Sequence, residues 1–445
     1  MLEVKLSMKI PSVDDCCSIL YNHNRRFGIP LDYDRMCEYY AYYTRKAVWL
    51  AKSVAGTVDI TTDATFRAWL GRNNITSGFL ATGNRKSGGG KSGGLSLSEE
   101  SVNAAIATGL YNGEVNHVLS CFSEYKKLKH LVAPLWKIMA GHQISPIETF
   151  DGHRMIICHP DWIPQNTGRI GMQNPGLMNI AKILSDIETV PKGWIYQTTD
   201  SGQIDPRITQ SAYINDPQLK KCTMIYNDAY YGYIHYCTIL TDEERRSGTL
   251  DIKPVELTEE MQIKRKKFKT YGNAVMYGST SNEGNDPYKA AFIRCIGGHP
   301  MRVKWQEDVT KRIERGERVF QTMFGTPIDI TKGPSDANYE DKESDAYFSH
   351  LVRCAINNPV QGTAADLMRL SISEANKILL RECDKSFILR YTHDSGSFAI
   401  QETEYEKVAE RLGGITAYQV EDWIPIFSDP QVGIKQSGEL PRLLQ

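Results

Sequence analysis

Apolar and aromatic positions recur at helical spacing from residue 33 to 54, where Tyr-Asp-Arg-Met-Cys-Glu-Tyr-Tyr opens the run. The spacing predicts a long helix, entered through Phe27-Gly-Ile-Pro-Leu-Asp32 and left at Gly56. Helical patterning returns over 115–140, 205–235, 258–278, 285–316 and 359–380. From 145 to 200, and again at 386–400, the apolar runs shorten and are parted by turn residues, as short strands require. Helix and strand interleave without a regular βαβ period, which predicts an α+β fold, and no repeat of solenoid length is present. A Gly/Ser/Lys-rich stretch at 83–94 is of low complexity and reads as a mobile loop.

Two of the strand-like runs end in nearly the same phrase. Trp194-Ile-Tyr-Gln-Thr-Thr-Asp200-Ser-Gly202 and Phe387-Ile-Leu-Arg-Tyr-Thr-His-Asp394-Ser-Gly396 each carry an aspartate before Ser-Gly. A carboxylate at the mouth of a strand is within reach of a hard divalent cation. Two on adjacent strands are the minimum that holds a pair of magnesium ions for phosphoryl or nucleotidyl transfer. The alternative is that Asp-Ser-Gly is ordinary turn chemistry in both places.

Composition narrows the classes. At 445 residues, 41% hydrophobic and 24% charged, the chain has room for two or three domains and a sizeable core. No apolar run approaches the ~18 residues of a membrane span, and a signal-peptide core is missing from the N-terminal residues, so an intracellular protein is expected. The net charge of −1 means that a nucleic-acid partner would be held by local basic patches. The ten cysteines show no C-x-x-C pair, and Cys16-Cys17 are adjacent, which suits reduced thiols. Gly90-Lys91-Ser92 is not a P-loop: the spacing requires glycine where Arg85 stands, and the flanking strand and helix are missing. A basic loop touching phosphate backbone fits it better.

Two further segments carry chemistry. After Thr258-Glu259-Glu260, a helix start with an acidic first turn, Arg265, Lys269, Asn273 and Tyr277 follow at i, i+4, i+8 and i+12. They form one stripe over roughly 18 Å, two cations followed by a polar and an aromatic side chain, which matches the triphosphate, sugar and base of a nucleotide. A solvated basic face is the other reading. In Ala355-Ile-Asn357-Asn-Pro359-Val-Gln361-Gly-Thr-Ala-Ala-Asp366-Leu-Met-Arg369, Pro359 suits the first turn of a helix. The small residues 362–365 allow close approach, either by a bulky ligand or by another helix. Asn357 and Gln361 are suited to minor-groove acceptors, which every base pair presents.

Residues 357–370 resemble the Gln-Gly-Thr-Ala-Ala-Asp helix of the family A DNA polymerases, and the other segments follow in that family's order. Asp200-Ser-Gly-Gln203-Ile-Asp205-Pro-Arg207 is similar to motif A, Arg265 to Gly278 to motif B, and His393-Asp394-Ser395 to motif C. Thr167-Gly-Arg169 to Pro175-Gly-Leu-Met-Asn179-Ile resembles a palm segment whose arginine reaches the primer terminus. Glu124-Tyr-Lys-Lys-Leu128-Lys and Gly28-Ile-Pro-Leu-Asp32 resemble parts of the thumb.

The resemblance implies a right hand with an antiparallel palm sheet and mostly helical thumb and fingers. Its parts would be a thumb over 1–145, a palm from 146–225 and 345–445, and fingers over 226–344. It implies a DNA polymerase that extends a primer with dNTPs, using two Mg2+ ions for which Mn2+ can substitute. Asp200, Asp394 and the Ser201 backbone carbonyl would hold metal, and Lys269 would donate a proton to pyrophosphate. Arg265, Lys269, Asn273, Tyr277, Gln203 and Asp205 would surround the nucleotide. Arg169, Asn179, Arg353, Asn357, Gln361 and His393 would contact primer–template DNA. A monomer in a bacterial host is implied, of phage or mobile-element character, with a separate exonuclease or processivity factor as a possible partner.

The departures are specific. The family's sugar-gate glutamate falls on Asp205, which is also placed to be the N-cap of the helix starting at Pro206. The motif B aromatic falls on Asn273, and the glutamate after the motif C aspartate is Ser395. These keep RNA synthesis, primer formation and a non-catalytic nucleic-acid-binding role as alternatives. Some twenty-five residues precede Gly28, too few for the nuclease fold usual before the thumb, so no proofreading is expected.

Overall fold

The computed structural model describes residues 1–79, 96–149, 151–247, 252–276, 286–332 and 341–433. The basic 83–94 stretch and Tyr277 lie outside the described residues, as do the side chains of Asn179 and Asn273.

The first predicted helix is α1 (Tyr33–Ser53), opened by Asp32, whose carboxylate accepts from the Arg35 amide at 2.8 Å. It packs along α2 (Gly113–Gly141), with Tyr39, Tyr43 and Leu50 turned inward beside Leu119, Phe122 and Leu128. Strands Ile29–Asp32, Ile144–Glu148 and Arg154–Cys158 form an antiparallel sheet that joins the start of α1 to the chain leaving α2.

The middle of the molecule is a four-stranded antiparallel sheet of β1 (Trp194–Ser201), β2 (Phe387–Tyr391), β3 (Ser395–Gln401) and β4 (Ser428–Gly433), in the order β2-β3-β1-β4. The first echo segment is the inner strand β1, and the second supplies the edge strand β2, the turn after it and the start of β3, where the two meet: Ser395 faces Asp200 and Gly396 faces Thr199. Their Ser-Gly tails are not equivalent turns. Ser395-Gly396 opens strand β3, whereas Ser201 ends β1, because a hairpin turn over 392–394 precedes one phrase and follows nothing in the other.

The region predicted as one helix over 205–235 is broken. Ile204–Ile208, a π-type stretch Thr209–Ile214, Pro217–Tyr226 and α3 (Ala229–Ile234) follow one another. The breaks fall at Asn215 and Asn227, both at φ 49°, a left-handed conformation that asparagine tolerates and helix interiors do not. Next comes α4 (Glu259–Met276), the predicted cation helix, which packs Phe268 among Tyr233, Phe292 and Ile296 in a core separate from that of the central sheet. Thr258 Oγ1 accepts from the Met261 amide at 3.4 Å, so the predicted helix start holds.

The last long helix, α5 (Asp345–Glu382), starts well before the predicted Pro359. Ser344 caps it, and Leu351, Ala355 and Ile356 carry its apolar face upstream against Val309, Ile313 and Phe320. Burial of that extra stretch outweighs the one backbone donor that an interior proline lacks. The small residue Gly362 is used by protein: a Cβ there would fall 2.4 Å from Ile328 Cδ1 and 3.2 Å from the Thr167 carbonyl oxygen.

The β2–β3 hairpin is anchored by a buried carboxylate. Glu404 accepts from the amides of Asp384 (2.8 Å), Lys385 (3.2 Å) and Ser386 (2.9 Å) and from the Ser386 hydroxyl (2.5 Å), just where the chain enters β2. Burial alone raises its pKa, but the Ser386 hydroxyl and these amides outweigh it and hold the carboxyl below its ordinary value. A depressed folded-state value stabilises above the unfolded pKa, and that stability is lost as pH falls through the folded one. Glu404→Gln is therefore expected to cost about 1–3 kcal/mol at neutral pH. The gap from wild type should close as pH drops below the ordinary carboxylate range; urea unfolding at several pH values measures it, and a pH-independent gap would refute the charge-based account.

Candidate active site

Strand register places the two aspartates. Asp200 is the last but one residue of β1, between Ser395 on β3 and Asp429 on β4. The hairpin turn carrying Asp394 is fastened to the end of the same strand, because the Ser201 amide donates to the Asp394 carbonyl oxygen at 2.7 Å. The turn is closed by the Thr392 amide on the Ser395 carbonyl (2.8 Å) and by a short Thr392–Ser395 hydroxyl contact. Ser201 itself faces inward, donating from Oγ to the Thr416 carbonyl at 2.9 Å. Backbone bonds thus fix the spacing of the carboxylates before any ligand arrives.

Asp200 and Asp394 open into one cleft of about 830 Å³, with Gln203, Asp205, Arg265 and Lys269 on its walls. With Ser201, which also borders it, seven of the sequence-predicted residues are therefore together. Lys269 is exposed and has no ion-pair partner among the described residues. Arg265 is held: its Nε and Nη2 donate to Asp228 Oδ2 at 2.9 and 2.7 Å, and it lies 5.5 Å over the rings of both Tyr230 and Tyr231. The stripe of two cations is thus a cleft wall and not a uniformly solvated face.

Asp205 is not the helix cap. The cap position of the helix Ile204–Ile208 is Gln203, at φ 58°, and Asp205 lies inside the first turn. Its carboxylate instead faces Arg169, at 3.4 Å. The left-handed turn at Gln203 starts the helix earlier than Pro206 predicts and frees Asp205 from the capping role.

The predicted DNA-contacting residues divide. Arg169 and His393 line a small gap beside Ala365 and Met368, next to the cleft and not in its wall. Burial first, and then the Arg169 charge, lower the His393 pKa, which leaves a neutral imidazole near pH 7. Arg353, Asn357 and Gln361 share one face of α5, outside the cleft wall. Asn357 Oδ1 is buried with no hydrogen-bond partner among the described residues. Asn179 lies in the short turn Leu177–Asn179.

The structure adds residues that sequence reading did not single out. Arg390 and Glu188 form a buried ion pair at 2.9 Å in the cleft wall, and Tyr196 donates to the same glutamate at 2.8 Å. An arginine in the apolar run 387–391 was the available signal. Asp429 and Tyr230 also border the cleft. Asp228 gave no signal, because it falls inside the stretch 205–235 that reads as helical.

Carboxylates of Asp200 and Asp394 are hard oxygen ligands. Among the described residues no group of three or more His, Cys, Asp or Glu converges as a metal cage. A pair of carboxylates in an open cleft fits Mg2+, which keeps waters and takes substrate phosphate oxygens as its remaining ligands. No helix of the described residues is long and apolar enough to cross a membrane.

Comparison with known proteins bears on the fold and the family. The fold is similar to the polymerase domain of Pol1 from M. smegmatis, solved in complex with DNA primer-template and dNTP. The TM-score is 0.72 at 16% identity, covering 95% of this chain and 69% of that one. The model of the DNA polymerase family A matches residues 91–435, a span that holds both aspartates, the cation helix and α5. With most of the chain so matched, the protein belongs to DNA polymerase family A and is a DNA-directed DNA polymerase.

Proposed function

We propose that the cleft between Asp200 and Asp394 is where a primer 3′-hydroxyl is joined to an incoming dNTP on a DNA template, with two divalent ions held by these carboxylates. The register that sets Asp200 against the hairpin of Asp394, in one cleft with Arg265 and Lys269, is the observation that carries this reading. The relative from M. smegmatis, described with primer-template and dNTP, supports it.

Each residue has a role that follows from its place. Bound divalent ions would lower the pKa of the primer hydroxyl and offset the charge of the leaving pyrophosphate. Asp200 and Asp394 fix where those charges sit, one on β1 and the other on the hairpin turn bonded to the end of that strand. Arg265 and Lys269 supply positive charge in the same cleft for the triphosphate, and exposed Lys269, with no ion-pair partner among the described residues, is the proton donor to pyrophosphate. Arg169 and His393, beside the hairpin, and Asn357 and Gln361 on α5 read the shape of the primer–template minor groove without reading sequence. Residues 1–145 form the thumb, 146–225 and 345–445 the palm, and 226–344 the fingers. Little covalent chemistry is asked of the protein; positioning and charge do the work.

Asp200→Ala and Asp394→Ala should each lower Mg2+-dependent primer extension by about a thousandfold or more, roughly 4 kcal/mol of transition-state stabilisation. Primer–template affinity, measured by fluorescence anisotropy, should stay near wild type. Wild-type extension by either variant would remove that residue from the metal site.

Asp205 lines the cleft at the position of the family's sugar-gate glutamate, paired with Arg169, and its proposed role is to reject an added 2′-hydroxyl. Asp205→Ala should raise the use of rNTPs relative to dNTPs by about tenfold, the scale at which a pocket rejects one small group. Competing single-nucleotide extensions measure the ratio, and an unchanged ratio would assign sugar selection elsewhere.

A further inference from the structure

Arg265 does not stand alone in the cleft wall. Its partner Asp228 is absent from the residues that line the cleft, so the carboxylate backs the guanidinium from behind. The contact uses the Nε and Nη2 edge of Arg265 and one oxygen, Oδ2. The same oxygen accepts from Gln203 Nε2 at 2.5 Å, and Gln203 Oε1 accepts from the Ala229 amide at 2.6 Å. Asp228 Oδ1 takes the amides of Tyr230 and Tyr231, both at 2.9 Å. One side chain therefore joins the turn that follows Asp200, the start of α3, and helix α4.

The support under Asp228 is buried. Arg207 donates to the Asn227 carbonyl (2.7 Å), to Asn227 Oδ1 (3.0 Å) and to the Pro425 carbonyl (2.6 Å), fixing the loop before Asp228. Helix α3 lies against Thr223 so closely that a Cβ on Gly232 would fall 2.2 Å from its hydroxyl oxygen. Gln210 bridges the two, accepting from Thr223 Oγ1 at 2.7 Å and donating to the Ala229 carbonyl at 3.2 Å. A carboxylate held by so many donors has little freedom, and the guanidinium bonded to it is preorganised.

We propose that Asp228 is a positioning residue for the incoming nucleotide. It presents Arg265 to the triphosphate with its Nε edge already occupied, and through Gln203 it registers α4 to the strand end that carries Asp200. The inference rests on the reading that Arg265 binds triphosphate. Lys269, one turn further along α4 and without such a partner among the described residues, supplies charge but not this registration.

Single-turnover extension with dNTP titration tests it on the full chain. Asp228→Asn and Asp228→Ser both keep a side chain able to cap α3 while losing the ion pair, so one serves if the other is poorly folded. Each should raise the dNTP Kd by about tenfold, about 1.4 kcal/mol, with primer–template Kd unchanged. In an Arg265→Ala background the same substitutions should add almost nothing, because the two residues act as one unit. An undiminished effect in that background, or a parallel loss of DNA affinity, would show a merely structural role and overturn the proposal. A lowered Kd would overturn it too, since Asp228 would then compete with the triphosphate. If Arg265→Ala weakens nucleotide binding while both Asp228 variants bind normally, this inference alone fails. If Arg265→Ala binds dNTP normally, the triphosphate reading fails and takes the inference with it.

Discussion

The pairing of β1 with β3 is the constraint on which the site depends. Side chains alternate across a strand, so a slip of one residue between Trp194–Ser201 and Ser395–Gln401 would turn Asp200 from the cleft into the core. The register is held from both flanks, by β3 on one side and β4 on the other, with Asp429 and Ser395 both opposite Asp200. The bond from the Ser201 amide to the Asp394 carbonyl then carries the register past the end of the strands to the hairpin turn. The framework thus sets both carboxylates on one cleft through backbone bonds alone.

Buried polar groups complete that framework at the points where strands, helix and loops meet. Asp366 on α5 accepts from Thr322 Oγ1 at 2.5 Å and Thr326 Oγ1 at 3.0 Å and pairs closely with Arg369, which also donates to the Pro11 carbonyl at 2.9 Å. Burial raises its pKa, but these donors and the Arg369 charge oppose the shift. Arg390 and Glu188 in the cleft wall do the same with Tyr196. Such networks add little net stability over apolar packing, but losing one partner leaves a charge unpaired at a cost of about 3–5 kcal/mol. They make the arrangement of segments far apart in the chain hard to vary.

How much of this was legible depended on range. The aspartates, the cation stripe and the helix starts at Asp32 and Thr258 are local patterns, and each was readable from a dozen residues. The break of the 205–235 region was not, because it turns on Asn215 and Asn227 adopting left-handed conformations that asparagine permits without requiring. Pro359 misled for the opposite reason: its preference for a first helical turn is real, yet burial of Leu351 and Ile356 upstream overrode it. The Ser-Gly echo brought both carboxylates to one cleft while its tails differ, since hydrogen-bonding context made one tail a strand start and the other a strand end. Membership of the family put the long-range pieces in order where periodicity alone had no means to do so.

Asp228 shows where local reading stops. As a residue before a short helix it is an ordinary cap, and nothing near it in the chain announces a second task. The second task arises because the charges of the cleft belong to two separately packed bodies. The carboxylates stand on a sheet whose core includes Ile388, Phe398 and Ile400, and the cations stand on α4, whose Phe268 packs with Tyr233 and Phe292. Apolar contacts fix each body internally but leave their mutual register loose, since dispersion has no direction. A directional bond is needed where the two meet, and one carboxylate oxygen shared by Gln203 and Arg265 is short enough and stiff enough to supply it.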